Sequence, residues 1–108
     1  MGNLKPNERA ALAELKSGLA RQFKLVELRL FGSKARGDSN SESDIDVLIV
    51  LEDCDWETRK AVSALCFETS LEYDVVIIPV VYTRAKRDSP FTRATPFYLS
   101  VAREGVPV

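Results

Sequence analysis

Apolar residues recur at steps of three and four from Asn7 to about Phe23, at Leu12, Leu15, Leu19 and Phe23, the spacing of a helix with one buried stripe. Asn7 suits its N-cap and Glu8 its first turn, and Gly18 in the same segment marks close packing against a sheet. The period then changes to two. From Lys24 to Phe31, Val26, Leu28 and Leu30 alternate with Glu27, Arg29 and Phe31, which predicts a half-buried strand. That strand ends at Gly32-Ser33. Ser33 to Arg36 reads as a short helix stopped by Gly37, and Asp38 to Ser43 as a polar loop. Ile45 to Leu51 is the central strand, and its run Val47-Leu48-Ile49-Val50-Leu51 is continuously apolar, as in a strand covered on both faces.

Asp55 is placed to cap a helix over Trp56 to Ser70, with Val62, Leu65, Cys66 and Thr69 inward and Arg59, Lys60 and Glu68 outward. Trp56 is expected to pack rather than to stack on a base. Tyr73 to Val81 predicts a third strand, with Asp74, Val76, Ile78 and Val80 on one face and Val75, Ile77 and Pro79 on the other. Pro79 lacks a backbone donor, which suits an edge or a bulge. Thr83 to Arg93 is basic and turn-rich, with Arg84, Lys86, Arg87 and Arg93 against Asp88. It reads first as a solvated loop, and in the sharper alternative as a surface for a partner or a triphosphate. Thr95-Pro96 caps and opens a last helix in which Phe97 and Val101 share a face, Gly105 stops it, and only a minimal strand fits before Val108.

Composition bounds the possibilities. A chain of 108 residues, 45% hydrophobic and 29% charged, holds one core, so residues 1–108 are expected to form a single domain. The net charge of -1 offers no global basic field for a long nucleic-acid duplex. No apolar run is long enough to span a membrane, and MGNLKPNERA lacks the hydrophobic segment of a signal peptide. Met1-Gly2 opens like a myristoylation signal, but Pro6 stands where Ser or Thr is needed. Cys54 and Cys66, with no histidine in the chain, read as reduced thiols of a cytoplasmic protein rather than zinc ligands. The absence of histidine also excludes a histidine base or a Ser-His-Asp triad.

The remaining chemistry lies in carboxylates. On an extended strand Asp44 and Asp46 point to the same side, about 7 Å apart by two steps of strand rise, and Ile45 points to the other. Two carboxylates on one face repel, and Asp46 borders a core where an unpaired charge costs several kcal/mol. A hard divalent cation relieves both problems, since Mg2+ takes one or two protein carboxylates and leaves positions for water and phosphate. Gly32 allows close backbone approach, and Ser33 offers a hydroxyl and an amide at a helix start, where anions bind. Lys34 or Arg36 could stand near phosphates. The acidic run Glu52-Asp53-Cys54-Asp55 is not read as a metal cluster, because it lies about 25 Å from Asp44 along the extended strand.

A strand, Gly32-Ser33, a short helix, Arg36-Gly37, and Ser43-Asp44-Ile45-Asp46 on the next strand together resemble the nucleotidyltransferase superfamily related to the palm of DNA polymerase beta. The likeness is strongest to the single-domain minimal nucleotidyltransferases, many of which act as antitoxins beside HEPN-domain toxins, and it covers nearly the whole chain. It implies an α+β fold with a small mixed sheet flanked by helices. It also implies a two-metal Mg2+ site at Asp44, Asp46 and Asp74, with Glu72 as the alternative third carboxylate, and nucleotide contacts at Gly32, Ser33, Arg36 and Ser43. Asp74 would complete the second metal site or accept the proton of the attacking hydroxyl. The donor implied is ATP. Three acceptor readings stay open: adenylylation of a tyrosine on a HEPN toxin, neutralisation of such a toxin by binding alone, or transfer to a small molecule of the aminoglycoside type. Each implies company for so short a chain, as a homo- or hetero-oligomer.

Overall fold

The computed structural model describes residues 4–37 and 44–108. Its elements are α1 (Pro6–Gln22), β1 (Leu25–Phe31), α2 (Ser33–Arg36), β2 (Ile45–Leu51), α3 (Trp56–Tyr73), β3 (Ile77–Thr83), α4 (Arg84–Asp88), α5 (Pro90–Arg93), α6 (Pro96–Glu104) and β4 (Val106–Pro107). They build a four-stranded mixed sheet in the order β3-β2-β1-β4. β1 runs antiparallel to β2 and β4, while β2 and β3 are parallel and joined by the crossover helix α3.

The alternation of β2 sorts the sheet into two faces. Ile45, Val47, Ile49 and Leu51 enter the main core with Leu12, Leu15 and Leu19 of α1 and Val62 and Cys66 of α3. Leu48 and Val50 pack on the other side with Val101 of α6, together with Val26, Phe31, Val80 and Tyr82. β2 is therefore covered on both faces, as its apolar run predicts. Asp46 shares the parity of Leu48 and Val50, so it belongs to the α6 face, away from the two long helices.

Several expected details change. Lys5, not Asn7, is the N-cap of α1 and Pro6 takes the first helical position, where its missing N–H costs nothing. The Asn7 amide instead donates to the Tyr73 carbonyl at 2.9 Å, tying the start of α1 to the end of α3. Gly18 does pack closely, but against α3: a Cβ there would lie 3.0 Å from Leu65 Cδ2. In β1 the register shifts between Leu25 and Glu27. This bulge sends Val26 to the α6 face, while Leu28 and Leu30 stay in the main core. Trp56 is not a packing residue, being 69% exposed at the start of α3.

The largest difference lies at the third strand. α3 continues to Tyr73 and ends with Asp74 in the left-handed region at φ 56°. Val75 N–H then closes on the Ser70 carbonyl, and the Ser70 hydroxyl accepts the Ile77 N–H at 3.1 Å. These bonds hold the chain in a helix-terminating turn, so β3 begins at Ile77 rather than Tyr73. Pro79 does lie on an edge strand. Thr83 to Arg93 is two short helices rather than an open loop, and its cations are engaged. Arg84 pairs with Glu52, Arg87 with Glu27 and Asp88, and Arg93 with Asp88, while Lys86 sits over the Tyr82 ring.

Candidate active site

The antiparallel register of β1 and β2 sets Phe31 directly opposite Asp46. The chain must therefore leave β1 at Gly32, beside the Asp46 carboxylate. Gly32 takes φ 76° and ψ -157°, a conformation that belongs almost wholly to glycine. A Cβ at this position would lie 2.5 Å from Asp46 Oδ2. Backbone and carboxylate are in close contact because no side chain intervenes. From there Ser33 opens α2, whose Ala35 and Arg36 amides both bond the Gly32 carbonyl at 3.1 Å. Gly37 closes the helix at φ 80°.

Asp44 is exposed at the entrance to β2 and Asp46 is half-buried one rung in. Burial and the negative charge of Asp44 push the Asp46 carboxyl above the ordinary range, with Arg36 pulling the other way. Arg36 also pairs with Glu104 of α6, Nη1 to Oε2 at 3.2 Å. A cleft of about 160 Å³ opens here, lined by Phe31, Gly32, Arg36, Phe97, Ser100 and Glu104. The Phe97 ring meets Phe31 edge-on at 5.4 Å. Glu104 and Phe97 were not foreseen at the site. The amphipathic spacing of α6 was visible in the sequence, but not the approach of that helix to α2.

Of the residues expected to form the site, Gly32, Ser33, Arg36, Asp44 and Asp46 are brought to one end of the sheet. Ser43 lies outside the described residues. Asp74 lies outside β3. It caps α3 before β3 begins, and lines a separate groove between α3 and β3 with Phe67, Leu71 and Val76. Glu72 is within α3. Among the described residues no three His, Cys, Asp or Glu side chains are grouped so as to hold a metal ion. Lys34 is not a phosphate ligand either. It is 1% exposed and its Nζ lies 2.6 Å from Glu8 Oε2, locking α2 to the first turn of α1.

Substituting Gly32 by alanine is expected to cost about 1–3 kcal/mol for the forced backbone conformation alone, and to push the Asp46 carboxylate aside. A lowered urea midpoint together with lost nucleotide binding would bear this out. Unchanged binding would mean that the close approach is incidental.

A mixed sheet with paired carboxylates on one strand, set against a Gly-Ser turn from its neighbour, defines a nucleotidyl-transfer domain of the polymerase-beta-like type. Residues 12–98 match the Nucleotidyltransferase domain family, and the chain belongs to that family. It is a nucleotidyltransferase. A relative from Methanocaldococcus jannaschii, named provisionally as a protein adenylyltransferase, is 42% identical over 77 residues, 69% of this chain and 73% of the relative. Among solved structures, one described as a minimal nucleotidyltransferase superposes with a TM-score of 0.65 at 28% identity, covering 93% of this chain and 91% of its own. The MNT antitoxin complex with a tri-AMPylated HEPN toxin of Shewanella oneidensis shares the fold at a TM-score of 0.53 and 21% identity, covering 94% of this chain and 67% of its own. Among the described residues no helix is long and apolar enough to cross a membrane.

Proposed function

We propose that this protein transfers AMP from ATP to a hydroxyl of a partner protein, a tyrosine of a HEPN-type toxin encoded beside it, and so acts as an antitoxin. The observation that carries the reading is the close approach of the Gly32 backbone to the Asp46 carboxylate, with Asp44 two residues ahead at the entrance to β2. The donor set is two hard oxygen ligands at the margin of a core, which suits Mg2+. The ion, when bound, supplies Lewis-acid polarisation of phosphoryl oxygens. Asp44 and Asp46 would hold it. Gly32 admits the triphosphate close to the backbone, Ser33 offers its hydroxyl and amide, and Arg36 supplies positive charge beside Asp46. The acceptor oxygen attacks the α-phosphorus, the bond to the bridging oxygen breaks, pyrophosphate leaves, and the hydroxyl proton passes to solvent. The homology to named protein adenylyltransferases and the likeness to an antitoxin complex support a protein acceptor.

The test is transfer of label from α-phosphate-labelled ATP and Mg2+ to the protein of the neighbouring gene, beside Asp46→Ala and a metal-free control. Label that appears on the partner and is lost in both controls is expected. A partner that is bound and inhibited without label would overturn catalysis on that acceptor and leave an antitoxin that works by binding.

A further inference from the structure

The rungs of the sheet fix what stands beside the two carboxylates. Asp46 lies between Phe31 of β1 and Ile78 of β3. One step earlier, the Ile45 N–H bonds the Val76 carbonyl, which brings Val76 beside the Asp44 end of β2. The next rungs on the same face are Arg29, Leu48 and Val80, then Glu27, Val50 and Tyr82. On this face β3 therefore presents Ile78, Val80 and Tyr82, and no carboxylate. Ile78 is 42% exposed on the edge strand. Two described acids elsewhere on the molecule are engaged by arginines. Glu104 holds Arg36, and Glu27 holds Arg29 and Arg87. Glu27 is four residues from the Asp46 rung, about 13 Å by strand rise.

Two divalent ions at about 3.5–4 Å carry four positive charges, and beside the triphosphate oxygens a further carboxylate on the far side of the pair would hold the second ion. The described residues provide Asp44 and Asp46 and then an isoleucine. Resting on the nucleotidyl-transfer reading above, we infer that this site takes a single divalent cation, through Asp44 and Asp46, and that Ile78 occupies the place from which a third carboxylate would hold a second. The two-metal arrangement expected with Asp74 or Glu72 does not fit the described residues. One consequence concerns the acceptor. Its hydroxyl meets the apolar side chain of Ile78 rather than a basic carboxylate.

The measurement is the number of Mn2+ ions bound per chain in complex with the α,β-methylene analogue of ATP, with their electron paramagnetic resonance spectrum. Wild type is expected to bind one ion with an uncoupled spectrum, and Asp74→Asn to match it. Ile78→Asp, a change at a half-exposed position on an edge strand, is expected to bind two ions with the spectrum of a coupled pair. Two coupled ions in wild type, loss of the ion in Asp74→Asn, or a single ion in Ile78→Asp would each overturn the inference while leaving nucleotidyl transfer intact. A complex whose Mn2+ is indifferent to Asp46→Asn would overturn that underlying reading as well, so the two failures are distinguishable.

Discussion

Lys34→Met is expected to destabilise the protein by about 3–5 kcal/mol, seen as a large fall in the urea midpoint with an unchanged slope. Glu8 and Lys34 are both buried, and their charged atoms are 2.6 Å apart. Taking two charges out of water is costly, so the pair adds little net stability beyond what an apolar pair of the same shape would give. Losing one partner is different, because it strands the other charge in the core. Burial by itself pushes the Glu8 carboxyl up, but the Lys34 hydrogen bond, the Lys5 amide and the two ammonium charges hold it below the ordinary range. A carboxyl lowered in this way contributes stability in full above its unfolded value, about 4.5, and loses it as pH falls through the lowered folded value. The acid limb of the stability curve should therefore flatten in Glu8→Gln. The double variant Glu8→Leu with Lys34→Met should recover most of the loss. If Lys34→Met alone were as stable as wild type, the pair would not be buried in solution. Because Lys34 follows Ser33 directly, the same single variant should also weaken nucleotide binding.

The contrast between Lys34 and its neighbours shows which features were legible in the sequence. The bounds of Ser33–Arg36 and Ile45–Leu51, and the caps at Asp55 and Thr95, matched because local chemistry sets them. They depend on a left-handed glycine, a run of β-branched residues, and side-chain oxygens accepting from the amide three residues on. The juxtaposition of Gly32 and Asp46 was readable for the same reason, since a hairpin-like pair of strands brings sequence neighbours together. Lys34 could not be read, because a lysine in a polar segment gives no sign that a glutamate from another helix will meet it. The Arg36–Glu104 pair spans 68 residues and is invisible to any local pattern.

The expected start of the third strand failed in a more instructive way. The alternation of Val75, Val76, Ile77 and Ile78 was assigned to the right faces, as the burial of Ile77 and the exposure of Val76 and Ile78 attest. Parity does not report where a strand begins. Leu71-Glu72-Tyr73 can extend a helix as readily as open a strand, and the Ser70 hydroxyl and carbonyl decide it by bonding the Ile77 and Val75 amides. A carboxylate in the right order along the chain thus ends in a helix cap.

Asp46→Asn is expected to lower nucleotidyl transfer on the order of a thousandfold, the equivalent of several kcal/mol of lost stabilisation of phosphoryl charge, while making the metal-free protein more stable at neutral pH. The two effects have one cause. Burial and Asp44 hold the Asp46 carboxyl above its ordinary value of 3.8, so the folded state binds its proton more tightly than the unfolded chain does. The sign is the reverse of Glu8: the cost is absent below pH 3.8, grows as pH rises through the interval up to the raised folded value, and is present in full above it. An amide carries no such charge, so Asp46→Asn should exceed wild type in urea midpoint at pH 7 and converge with it in acid. A divalent cation should narrow the gap at pH 7 by stabilising wild type only, since ligand binding to the folded state raises its stability. An Asp46→Asn protein that is inactive and less stable at pH 7 without metal would point to a structural role for this carboxylate. Inactivity with increased stability would mark Asp46 as a residue that weakens the fold to keep a charge at the site.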